Sequence, residues 1–136
     1  MAGCLVRLVV VSGMAAFLAA PALSALAPEY YARARDGAAH HLEIRVTAMK
    51  RLDGRDCRVE GVVTASHRGP IAVDTPVQAT VGCIRRDETV EPGPRMWVFA
   101  EDLTKGTVLE GWFDGAPSGL VSPGDQVGIK ELAPGR

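Results

Sequence analysis

Between Cys57 and Cys83 the chain keeps a two-residue rhythm. Cys57, Val59, Gly61 and Val63 fall on odd positions, as do Val77, Ala79, Val81 and Cys83, with Arg58, Glu60, Thr64, Gln78 and Thr80 among the residues between. A period of two marks half-buried strands, and Gly69-Pro70, midway between the runs, is where a reversal costs least. Antiparallel pairing about that midpoint sets Cys57 opposite Cys83, Val59 opposite Val81, Gly61 opposite Ala79 and Val63 opposite Val77. The hairpin then has one apolar face and a potential disulfide at its open end.

The same rhythm predicts a first strand over His41 to Met49, with Leu42, Ile44, Val46 and Ala48 inward and Glu43, Arg45 and Thr47 outward. Asp53-Gly54 is a turn signal leading into the hairpin. Arg85 to Pro94 is charged, closes on two prolines around a glycine, and reads as an exposed loop. A fourth strand is predicted over Met96 to Ala100, a turn over Glu101 to Gly106, and a fifth strand over Thr107 to Phe113. A polar, glycine-rich connection from Asp114 to Asp125 leads to a last strand over Gln126 to Leu132. Ahead of them all, Pro28 to Asp36 reads as a short helix. Proline suits its first position, Glu29 the positive end of its dipole and Gly37 its stop, and Tyr30 and Tyr31 would pack it on the rest.

Five or six short strands with no long helical period make an all-β domain. A small closed or partly closed barrel of five to six strands removes exposed edges, and Gly61 and Gly82 fit the bends it needs; a flattened sandwich is the other solution. The run Cys57-Arg58-Val59-Glu60-Gly61-Val62-Val63, with Val77 to Cys83 after a charged turn, resembles strands one and two of OB-like barrels in small exported bacterial proteins. The whole chain from the Tyr30-Tyr31 helix onward is similar to one such family that has no assigned function. The resemblance implies an OB-like barrel and export, and it transfers no catalytic residue.

The N-terminus agrees on the address. Arg7 is the only charge before Glu29, Leu8 to Ala20 is almost wholly apolar, and Ala20-Pro21-Ala22 and Ala25-Leu26-Ala27 supply small residues. This is the order of a secretory signal peptide over residues 1–24, cleaved between about 22 and 27, leaving residues 28–136 as one domain. An uncleaved anchor from Leu8 to Leu26 is the alternative, but Pro21 interrupts it and its length barely meets the ~20 residues a bilayer needs. Cys4 precedes the apolar run and so is not a lipidation site. Cys57 and Cys83 are then the only cysteines left, and a periplasmic or secreted location lets them pair. Bridging their loop would stabilise the fold by roughly 3.5 kcal/mol. Without Arg7 the domain carries 14 basic against 16 acidic residues, so its charge does not call for a polyanionic partner.

Candidate chemistry is sparse. His41 and Glu43 point outward together and could contribute to a metal site. His40 points the other way, however, and His67 falls in the hairpin turn, so the histidines are read as surface residues, with no metal and no cofactor expected. Ser66 beside His67 lacks the strained elbow that presents a nucleophile, and Glu101-Asp102 reads as a solvated pair, so no enzyme is expected. Both tryptophans and two of the three phenylalanines, Trp97, Phe99, Trp112 and Phe113, fall in the fourth and fifth strands. Trp97 and Phe99 share a face and are expected to fill the barrel against Leu42 and Ile44. Trp112 shares its face with Glu110 and Val108 and is expected at a contact site. The outward hairpin positions offer nothing to stack a base, which disfavours nucleic acid. The expectation is an exported, non-catalytic binding or accessory protein of the envelope without stable membrane insertion, contacting a partner protein through Trp112, Trp97, Arg85 and Arg86. The alternative is a carrier of a small ligand or metal at the barrel mouth.

Overall fold

The computed structural model describes residues 28–90 and 96–135. The expected signal peptide and the prolines at 92 and 94 lie outside the described residues. The elements are α1 (Pro28–Gly37), β1 (His40–Arg51), β2 (Asp56–Arg68), β3 (Pro76–Ile84), β4 (Val98–Phe99), β5 (Val108–Phe113), β6 (Leu120–Val121) and β7 (Val127–Glu131). Their order is β4-β3-β2-β1-β5-β7, with β6 also on β3. β3 pairs in parallel with β4 and β6, and the remaining pairs are antiparallel. The sheet curls into a nearly closed mixed barrel, the small all-β fold that the alternating pattern predicts. Among the described residues no helix is long and apolar enough to cross a membrane.

The first strand is the spine. It pairs β2 along its whole length and β5 along its first half, and Leu42, Ile44 and Val46 are fully buried on its inner side. They meet Val59 and Val63 of β2, Leu109 and Phe113 of β5, and Leu120 of β6 in one core. Fully burying side chains of this size contributes about 1.5–3 kcal/mol each. At Gly61 the strands come so close that a Cβ would lie 2.5 Å from Ile44 Cγ2 and 2.6 Å from the Arg45 carbonyl oxygen, which is why glycine stands there.

Several expected placements are corrected. β1 and β2 change register between Val46 and Ala48, so Thr47 is an extra residue. The alternation flips there: Ala48 is exposed, and Met49 packs against the core instead. The hairpin is offset by two residues from the symmetric pairing, with Cys57 opposite Val81 and Val59 opposite Ala79. The cause is the connection, which reaches from Gly69 to Thr75 and buries Ile71, while Asp74 N–H donates to the Val63 carbonyl at 2.8 Å. An even offset keeps the same residues inward, and Cys57 and Cys83 still join in a fully buried disulfide, with Cα atoms 5.8 Å apart.

The fourth strand shrinks to Val98–Phe99 beside Cys83 and Ile84, and a 3-10 turn follows at once. Val98 is the inward residue, so Phe99 and Trp97 do not fill the barrel: Phe99 is exposed and Trp97 half-buried. Nor is Asp102 solvated. It is buried, and both its carboxylate oxygens accept from Arg86 Nη2 at 2.7 Å. α1 buries no side chain fully; Tyr30 is partly exposed and lies against Gly124 together with Ala34.

Candidate functional site

The outer face of β2, β1, β5 and β7 gathers chemistry that no single strand displays. On β1, His41 and Glu43 point outward two residues apart, as their spacing predicts. On β5 the register places Trp112 opposite His41 and Glu110 opposite Glu43. β2 adds His67 through two irregularities. Continued alternation from Cys57 and Val63 would aim His67 at the core, but Thr64 and His67 are both extra residues in the β1 pairing, and they reset the strand. Bulges of this kind re-aim side chains. His67 therefore belongs to a strand, not to the hairpin turn, and its side chain lies on the outer face.

The side chains form two rows. In the first, the His67 and His41 ring centres are 4.6 Å apart, His41 stacks on Trp112 at 4.1 Å and 14°, and the Arg35 guanidinium lies 4.5 Å from the indole centre. Arg35 comes from α1 and also donates to Gln126 Oε1 at 2.9 Å, while Arg68 Nη1 donates to the Arg35 carbonyl at 2.6 Å. The helix thus covers Trp112, which is half-buried where the sequence predicted an open contact.

In the second row two carboxylates face each other across the β1–β5 ladder, an arrangement that like charges disfavour. Each is held by an imidazole: His41 Nε2 lies 2.8 Å from Glu110 Oε1, and His67 Nε2 lies 2.6 Å from Glu43 Oε2. Lys130 Nζ of β7 sits 2.8 Å from the other Glu43 oxygen. The hydrogen bond from Lys130, and next that from His67, hold the Glu43 carboxyl below its ordinary range against the opposing effect of burial. Glu43 in turn raises the Lys130 ammonium above its usual value. A carboxylate held ionised accepts the Nε2–H of His67; in the neutral ring that hydrogen bond fixes the Nε2–H tautomer and leaves the lone pair on Nδ1.

One donor atom each from His41, His67 and Glu110 lie within 4.8 Å of one another. Beside them opens a pocket of about 210 Å³ lined by Arg35, Met96, Glu110, Trp112, Gln126 and Val127 among others. A wider, open groove of about 540 Å³ runs over Glu60, Val62, Pro76, Gln78 and Pro117, without histidine or a second carboxylate.

The expected contact residues have different immediate neighbours. Trp112 belongs to the outer-face cluster. Arg86 leaves the expected solvated loop to bind Asp102 and stands 4.4 Å over the Phe99 ring, Arg85 is largely exposed, and Trp97 lies 5.7 Å from the Arg55 guanidinium. His67, Glu110 and Lys130 are the members that reading one strand at a time missed. The available signal was the shared face of Glu110 and Trp112; nothing in the alternation betrays His67. Comparison with protein-family models, with curated proteins and with solved structures returns no match for this chain.

Proposed function

We propose that the chain is an exported, non-catalytic binding protein of the cell envelope and that it takes a small ligand on the outer face of β2, β1, β5 and β7. The observation that carries the reading is the convergence there of two imidazoles, two facing carboxylates, an ammonium and an indole beside a 210 Å³ pocket. Convergent polar groups next to a concave, partly aromatic surface are what small-ligand sites use. The barrel interior is filled by Leu42, Ile44, Leu109, Phe113 and Leu120, all fully buried, which favours the outer face over the barrel mouth. Export is supported by the order of residues 1–27 and by the Cys57–Cys83 bond, since disulfides persist outside the cytoplasm.

The test is thermal unfolding of the oxidised protein against a panel of transition-metal ions and small organic and inorganic anions. A ligand at a hundred times its Kd adds about 2.7 kcal/mol, a clear rise in Tm. The rise is expected for one chemical class and is expected to shrink in Glu43→Gln. A flat response to the whole panel overturns the reading.

A protein partner is the second reading, favoured by a different surface. Phe99 is 37% exposed with Arg86 across its ring, and Arg85, next to Arg86 in sequence, has a side chain 61% exposed and 3.9 Å from Glu88. Aromatic and arginine side chains are the usual anchors of protein interfaces. A photo-crosslinker at position 99 that captures a protein in the native envelope, while one at position 112 captures none, supports this reading over the first.

A further inference from the structure

We infer that His41, His67 and Glu110 bind a divalent first-row transition-metal ion of the Zn²⁺ type, an inference that rests on the outer-face reading and names its ligand. The three residues stand on β1, β2 and β5, so two ladders set their spacing rather than a loop. Two imidazole nitrogens and one carboxylate oxygen suit Zn²⁺, Co²⁺, Ni²⁺ or Cu²⁺, whereas Ca²⁺ and Mg²⁺ take oxygen donors.

The distances fit with modest adjustment. Metal bonds of ~2.1 Å in a tetrahedral site put donors roughly 3.4 Å apart, against the 4.8 Å within which these donors already lie. His67, with its side chain 44% exposed, is the one freest to close that gap; Glu110 is 33% and His41 20% exposed. This leaves the remaining coordination position open toward solvent, as in a site that exchanges its metal or accepts a further ligand.

The surroundings argue for a metal over an ordinary surface ion pair. Glu43 stays outside the triad, holds His67 Nε2 at 2.6 Å and is itself anchored by Lys130 at 2.8 Å. A carboxylate behind a histidine is the support that metal-binding imidazoles ordinarily have, since it fixes ring and tautomer. The charge pattern points the same way. Lys130 neutralises Glu43, but among the described residues Glu110 has only His41 at hydrogen-bond distance, and the two carboxylates face each other. A cation beside Glu110 relieves that repulsion in the way Lys130 does on the other side.

Calorimetric titration of the tag-free, oxidised protein with Zn²⁺, after chelator treatment and dialysis, tests the assignment. One Zn²⁺ per chain is expected. His67→Ala and Glu110→Gln, both at partly exposed positions, are each expected to weaken binding by about 100-fold or more, and Glu43→Gln by about 10-fold through loss of ring support. Glu60→Gln, in the separate groove, is expected to leave the affinity unchanged. Co²⁺ in place of Zn²⁺ supplies a second readout, a visible ligand-field band that disappears in His67→Ala. Zn²⁺ binding that is indifferent to His67 and Glu110 overturns the site. So does absence of binding at millimolar Zn²⁺. In that case a Tm rise with some other member of the panel, lost in Glu43→Gln, would keep the outer-face reading while removing the metal; a flat panel would remove both.

Discussion

Breaking the Cys57–Cys83 bond is the perturbation whose size follows most directly from the fold. The bridge spans a sequence separation of 26. Releasing a loop of that length returns conformational entropy to the unfolded chain worth roughly 3.5 kcal/mol at 25 °C. For a domain of about 110 residues, with an unfolding entropy near 2.1 cal/mol/K per residue, this lowers Tm by about 15 °C. Both sulfurs also lie in the core, so Cys57→Ala/Cys83→Ala loses packing as well as the tether. Two missing methyl-sized groups add roughly 2 kcal/mol. Three samples separate the contributions: the oxidised protein, the protein reduced under denaturant and refolded with reductant, and the double variant. Urea unfolding followed by far-ultraviolet circular dichroism should place the reduced protein below the oxidised one by the tether alone, with a larger m-value because its denatured state is more open. The double variant should fall lower still. A reduced protein within about 1 kcal/mol of the oxidised one, at unchanged m, would refute the loop-closure reasoning.

Other outcomes follow from single residues. Gly61→Ala should cost about 1–3 kcal/mol of stability, read as a lower urea midpoint at unchanged m, because the new Cβ would sit 2.5 Å from Ile44 Cγ2 and 2.6 Å from the Arg45 carbonyl; an unchanged midpoint would mean that β1 and β2 do not cross so closely. Burial works to raise the Glu88 carboxyl, yet the Arg85 backbone N–H and the Arg51 guanidinium, 2.6 Å away, hold it below the ordinary glutamate range. Its contribution to stability is therefore present above the unfolded value and lost as pH falls through the lowered folded one. Arg51→Ala should move the Glu88 midpoint upward in a carboxyl-detected NMR titration, and an unmoved midpoint would count against the pairing.

How far the sequence foretold this depends on where the alternation is unbroken. From Cys57 to Val63 and from Val77 to Val81 parity alone assigns the inner face, and a pairing offset of two residues leaves that assignment intact. The same parity fails at each bulge. Thr47 flips Ala48 outward, and Thr64 with His67 turns the end of β2, which is why the alternation places Ala48 in the core and leaves His67 to the turn. None of the three extra residues is a glycine or proline that would announce a bulge. The candidate site was half legible for the same reason. His41 with Glu43, and Glu110 with Trp112, are pairs along single strands. Their assembly across β1 and β5, and the arrival of His67 and Lys130, depends on register, which a single strand does not encode. Phe99 and Trp97 escape the alternation because a two-residue strand has too little pattern to reveal its inward side; Val98, between them, takes the core position.

The stacking of Trp112 on His41 also gives the molecule an optical handle. The protein has two tryptophans, and Trp97 lies beside Arg55 instead of the histidines. Replacing Trp97 by phenylalanine would leave a single indole, in face-to-face contact with an imidazole 4.1 Å away and excited apart from the tyrosines at the red edge of its absorption. Indole emission is quenched by a neighbouring protonated imidazole and by paramagnetic ions, so the brightness of this one ring reports the state of His41 without any attached dye. The residue expected from sequence to touch a partner is, in the folded protein, placed to signal what happens to its neighbour.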